Sequence, residues 1–131
     1  MCLSVVFPKE KIIESGVGYK VFRKYKQEPY PRDIIPMYFH RYIHKPIKLK
    51  KWINEIEYRV GGHIGRKKKI IRDVSKPYPY GFHIFLNKYG AYQLKNGEPG
   101  RIVKKIKFRK GCAIGTQSGH CVVVVAKEIF V

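Results

Sequence analysis

The chain has 131 residues, with 28 Lys and Arg against 9 Asp and Glu, for a formal net charge of +19. That length bounds it to one domain, residues 1–131, large enough for a single buried core. Its 44% hydrophobic content, with 10 Tyr, 7 Phe and 1 Trp, carries too much apolar area for a disordered basic tail. No apolar run approaches the roughly 18 residues of a membrane span.

The first residues, Met1 to Phe7, are mildly apolar but lack the basic and hydrophobic regions of a secretory signal, and Pro8-Lys9 interrupts them. Cys2, Cys112 and Cys121 make an odd set without the density of a disulfide scaffold, which predicts a cytoplasmic protein. A Cys112–Cys121 bridge would require the residues between them to form a hairpin loop; buried free thiols are the alternative. Val17 to Tyr25 alternates, with Val17, Tyr19 and Val21 on one parity and Phe22 with Lys20 and Lys24 on the other, which predicts a half-buried strand. Pro29, Pro31 and Pro36 make the following segment a loop or an irregular edge.

Met37 to Tyr42 reads as strand, and Trp52 to Val60 fits helix or strand. Gly61, Gly62 and Gly65 predict a loop ahead of Arg66-Lys67-Lys68-Lys69. After the turn-rich Ser75 to Gly81, Phe82 to Phe85 is a short strand and Asn87 to Leu94 a short helix, closed by Asn96-Gly97. In Arg101 to Lys110, Ile102, Ile106 and Phe108 share a face with Lys104, while Val103, Lys105, Lys107 and Arg109 share the other. Gly111 to Gly119 predicts a turn, and His120 to Val131 a strand whose Val122–Val125 run is apolar on both faces and so central. The sum is an α+β domain: mainly antiparallel β sheet of about five or six strands with one or two short helices.

The charge is concentrated. Arg41 to Arg72 holds eleven Lys/Arg and two acids, and Arg101 to Lys110 holds six and no acid. Side chains two apart on a strand stand roughly 6.5–7 Å from one another, close to the step between successive phosphates of a nucleic-acid strand. Held so near, like charges repel unless an anion lies against them, and a polyanion would also release its condensed counterions. A solvated face that keeps the protein soluble is the plainer account, but such faces interleave acids.

Aromatics interleave with the cations at Tyr19-Lys20, Phe22 to Tyr25, Tyr38 to Tyr42 and Lys51-Trp52. Single-strand binders use that mixture, with bases on rings and cations on phosphates; a small β domain also needs rings for its core. Tyr38, Tyr42 and Trp52 are the stacking candidates. The phosphate-contact candidates are Lys105, Lys107 and Arg109, the Arg66, Lys67, Lys68 and Lys69 run, and Lys48, Lys50 and Lys51 beside Trp52.

Catalytic and metal signals are thin. His40 and His44 would share a helical face, but Pro46 and flanking cations oppose a metal site there. Glu55 and Glu57 form the close carboxylate pair, better placed to offset lysines than to do acid–base work. No nucleophile elbow surrounds any serine, and His120 points away from Cys121 on a strand. The Gly61 to Lys69 loop lacks the Walker spacing. No enzyme activity, metal or cofactor is expected.

Gly18-Tyr19-Lys20-Val21-Phe22, Gly81-Phe82-His83-Ile84-Phe85, and Lys110-Gly111 ahead of a Val-rich strand with Ala126 give a pattern. It resembles small, mostly uncharacterised proteins encoded by phages and other mobile elements. The resemblance implies an accessory protein of viral origin working in host cytoplasm, and no particular chemistry. Three roles follow as expectations: a nucleic-acid binder using phosphate contacts, a binder of an anionic nucleotide or a host defence protein, or a virion or assembly component. For the second, His83 with Tyr19 and Lys20 is the candidate ligand site, and a structural histidine beside the Tyr80-Gly81 turn is the plainer account.

Overall fold

Alternating β-branched and aromatic residues put most of this chain into strands. The computed structural model describes residues 3–24, 34–36, 49–58, 70–71, 78–79, 81–95, 100–117 and 121–131. In chain order these hold β1 (Val5–Val6), β2 (Gly16–Lys24), β3 (Ile34–Pro36), β4 (Trp52–Asn54), β5 (Ile70–Ile71), β6 (Tyr78–Pro79), β7 (Phe82–Phe85), helix α1 (Lys88–Lys95), β8 (Arg101–Gln117) and β9 (Cys121–Phe130). Single 3-10 turns occupy Lys9–Lys11 and Glu55–Tyr58. Seven strands form one antiparallel sheet, and β5 pairs with β6 apart from it. The expected α+β class, mainly antiparallel, is the fold; the strands beyond the expected number are pieces of two or three residues.

β8 organises the sheet. Its first half pairs with β2, from Arg23↔Arg101 to Gly16↔Phe108, and its second half pairs with β9, from Lys107↔Phe130 to Gln117↔Cys121. β9 pairs in turn with β7, and β7 touches β2 at Tyr19↔Phe85, so β8, β2, β7 and β9 close a ring. β1 extends the sheet beside the end of β8, β3 beside β2, and β4 beside β9.

Gly111 to Gly119 is strand as far as Gln117, not a turn. Lys110 takes a left-handed φ of 58°, and the register slips between Gly111 and Ala113 as a bulge. The glycines serve close approach. A Cβ on Gly111 would meet the Ile13 carbonyl, and one on Gly115 the Val5 carbonyl. Trp52 to Val60 splits: three residues pair with β9, then the Asn54 side chain accepts the Ile56 N–H at 3.0 Å and turns the chain into the 3-10 segment.

Neighbouring residues of β7, β8 and β9 fall into two hydrophobic clusters. Phe82, Ile84, Ile106, Phe108, Ile114, Val124 and Ile129 belong to one, with Phe22 and Ile53. Phe85, Ala113, Val123 and Val125 belong to the other, with Leu3, Val21, Tyr78 and Ala91. Val123 to Ala126 are fully buried, as a central strand apolar on both faces requires. Helix α1 starts where the Asn87 side chain accepts the Tyr89 N–H at 2.8 Å. It packs on β2, β7 and β8 through Gly90 and Ala91. Among the described residues no helix is long and apolar enough to cross a membrane.

Gly115→Ala should lift β1 from β8 and cost about 1–3 kcal/mol in urea unfolding. Gly16→Ala, whose Cβ would meet only the Phe108 ring at 3.3 Å, should cost less.

Candidate functional site

The alternation read in β8 holds. Ile106 and Phe108 are buried, while Lys105, Lys107 and Arg109 are exposed on the opposite face. The register then adds residues that lie far away in the chain. Lys105 stands beside Tyr19 of β2. Lys107 stands between Val17 of β2 and Phe130 of β9, and Phe130 stands beside Trp52 of β4. One step further, Arg109 faces Glu128, which faces Asn54. Rows two residues apart lie roughly 6.5–7 Å from each other, so the surface is a grid of cations and rings spanning four strands.

Its contacts are specific. The Arg109 guanidinium lies over the Trp52 indole at 4.1 Å from the ring centre, and the Lys107 ammonium over Phe130 at 5.8 Å. Trp52 and Phe130 meet at 5.6 Å with their planes tilted by 60°. Glu128 anchors the patch: one carboxylate oxygen accepts from Arg109 Nε, and the other from Lys110 Nζ and Asn54 Nδ2, each at 3.1 Å. Burial alone would raise the Glu128 pKa. The bonds from Arg109, Asn54 and Lys110, together with the guanidinium charge, outweigh it and hold the carboxyl at about 2.

Among the described residues neither Lys105 nor Lys107 has a carboxylate within ion-pair distance. Lys50 and Lys51 are exposed at the entry to β4, where the Lys50 N–H bonds the Val131 carbonyl at 2.9 Å. Lys105, Lys107, Arg109 and Trp52 therefore share one face of the sheet, with Lys50 and Lys51 next to Trp52 in the chain. Lys48, Arg66, Lys67, Lys68 and Lys69 lie outside the described residues, as do Tyr38, Tyr42, His40, His44 and His120.

The sequence reading missed Phe130, Glu128, Asn54 and Val17 as members of this surface. Glu128 carried a signal: it is the single acid between Cys121 and Val131, in a strand otherwise apolar but for Lys127. Phe130 and Val17 carried none, since their neighbours are set by register.

His83 and Lys20 sit in the interior and present nothing to solvent, at 2% and 1% exposure. Tyr78 Oη accepts the Leu3 N–H at 2.9 Å and lies 3.1 Å from His83 Nε2, which ties the chain ahead of β1 to β7. Lys20 Nζ donates to the His83 carbonyl at 2.9 Å and lies 5.8 Å from the centre of the Phe82 ring. Burial pulls the Lys20 pKa down to about 7. Tyr19 is half-buried and belongs with Lys105 on the cationic surface.

Among the described residues Cys112 and Cys121 are free thiols, and Cys2 lies outside them. Cys121 faces Gln117 across the hairpin, while Cys112 falls at the bulge and bonds the Val125 carbonyl at 3.4 Å. Burial pushes the Cys112 thiol up to about 11; the Lys127 charge opposes that rise and Glu55 adds to it. Glu55 itself is buried and pairs with Lys127 at 3.5 Å, the offsetting part expected of it. Among the described residues no three His, Cys, Asp or Glu side chains gather as a metal site.

Two pH dependences follow. Between pH 7 and 10.5 the unfolded chain holds a proton on Lys20 that the folded chain has lost, so stability rises with pH across that window. Denaturant titrations should show this rise in the wild-type chain and a smaller one in Lys20→Met. Glu128 acts at the other end. Its stabilisation is complete above its ordinary value of 4.5 and is lost as pH falls toward about 2; Glu128→Gln should lack that part of the acid loss.

No protein-family model, curated protein or solved structure matches this chain.

Proposed function

We propose that this protein binds nucleic acid through phosphate contacts on the β8 face and catalyses no reaction. The observation behind it is the register that sets Trp52, Phe130 and Glu128 beside the Lys105–Lys107–Arg109 row. A grid of cations held on rigid strands repels itself and is relieved by a polyanion. The one acid inside it, Glu128, bonds Arg109 and Lys110 and leaves Lys105 and Lys107 uncompensated among the described residues. Lys50 and Lys51, exposed just ahead of Trp52 in the chain, add positive charge at the start of β4. Contacts of this kind position a strand and carry little sequence information.

A small anionic ligand at His83 and Lys20 draws no support from their burial. The viral-type accessory role implied by the phage-protein resemblance belongs to the same proposal, since a polyanion-binding surface serves such a role without any further chemistry.

The test is binding of a labelled oligonucleotide across a salt series. The log of the binding constant should fall linearly with the log of salt concentration. The double substitution Lys105→Glu and Lys107→Glu should weaken binding at least tenfold. It should also flatten the slope by about 1.4–1.8, from roughly 0.7–0.9 per phosphate contact. An affinity that does not change with salt would overturn the proposal.

A further inference from the structure

The cationic surface carries more aromatic and apolar area than phosphate contacts need. Trp52 is 37% exposed and Val17 48%, and both lie in the same cross-strand row as Lys107 and Phe130. Trp52 is the chain's one tryptophan, and it lies under the Arg109 guanidinium, whose side chain is itself 44% exposed. Glu128 fixes that guanidinium by its Nε alone. The plane is held, and the terminal N–H groups are left for another acceptor.

We infer that the ligand of this surface is single-stranded nucleic acid, with one base stacked on the outer face of the Arg109–Trp52 pair and the neighbouring phosphates on Lys107 and Lys105. The inference rests on the phosphate-binding reading of the same surface. A duplex turns its phosphates outward and keeps its base faces stacked within, so an indole and guanidinium at the centre of the site gain nothing from it. A single strand offers both at once: free π-faces for rings and guanidinium planes, and a flexible backbone for lysines. Phe130 walls the indole on one side and carries Lys107 above its ring. The stacking position and the first phosphate position are therefore neighbours in one row.

Glu128 is a positioning residue here. Without its carboxylate, Arg109 keeps its charge but loses the contact that sets its plane. Arginine is also required at this position, because a lysine keeps the charge and has no planar face to stack.

Because Trp52 is the chain's one indole, its emission reads the site directly. The wild-type chain is titrated with a short oligothymidylate, with an abasic strand of equal length, and with the corresponding duplex. The single strand should quench Trp52 fluorescence and bind about tenfold more tightly than the abasic strand, within the range that one stacked base supplies. Neither the abasic strand nor the duplex should quench it. Arg109→Lys should lower affinity for oligothymidylate about tenfold and affinity for the abasic strand by a clearly smaller factor, and an equal loss for both overturns the stacking inference. Equal, salt-sensitive binding of all three ligands with unchanged emission overturns the stacking inference and leaves the phosphate reading standing. Failure of all three to bind, or binding that ignores salt, removes the phosphate reading and this inference with it.

Discussion

A single strand, β8, has to serve two partners. Its first half is zipped to β2 and its second half to β9, and at Lys107 and Phe108 it is paired with both at once. A flat seventeen-residue strand would carry its two partners away from each other. The left-handed Lys110 and the bulge at Gly111 bend it instead, so that β2 and β9 can both reach β7 and the ring closes. The rest of the packing depends on that bend. The Ile13 carbonyl lies against Gly111, whose N–H bonds the Glu14 carbonyl at 2.8 Å. Beyond the bulge β1 finds its groove, with Leu3 fully buried and held through Tyr78 to His83.

The same strand decides where the charge goes. From Lys105 to Arg109, β8 alternates between exposed cations and the buried Ile106 and Phe108, so its cations stand in file. Helix α1 packs on β2 and β8 and presents Ala91 to the cluster that holds Val21 and Val103. On that face the row of Val17, Lys107, Phe130 and Trp52 is left partly or well exposed. The surface is thus a continuation of a packed face, with lysine and arginine taking over where the cover ends. Rigid strands on a closed ring hold these side chains in fixed rows, which a loop of equal charge would not do.

Local patterns made part of this legible. The alternation of Arg101 to Lys110, the four valines at Val122–Val125 and the Asn87 start of α1 are each set by neighbours in sequence, and each formed as read. What stayed hidden is non-local. Gly111 and Gly115 look like turn residues in a string of glycines; their reason is the carbonyls of Ile13 and Val5, nearly the whole chain away. Lys20 reads as a charge on the polar side of a strand. It is buried because closing the ring places it under β7, where its Nζ donates a hydrogen bond to the His83 carbonyl and desolvation holds its pKa near 7. The cationic row was legible in β8 itself, and Trp52 was singled out for its neighbours Lys50 and Lys51. That the two belong together follows only from the register of β4 on β9 and of β9 on β8.

The place of Glu128 connects fold and surface. In a chain with about three cations for every acid, each carboxylate that is kept near a cationic row weakens the attraction for a polyanion. Placing one at the centre of the row therefore needs a return of another kind. Glu128 sits on β9 opposite Arg109, and the bend at Lys110 brings a second cation to its other oxygen. Asn54 supplies a third donor from β4. One carboxylate thus ties three strands at their outer face and relieves the repulsion between Arg109 and Lys110. It also orients the guanidinium on Trp52. Those bonds hold its carboxyl at about 2, so it is charged at neutral pH and keeps the guanidinium oriented there. Removing the charge would raise the net positive field and at the same time release the one cation whose geometry matters most. The surface gives up some attraction in order to hold one cation's shape, which suits a ligand recognised by a planar base as well as by its phosphates.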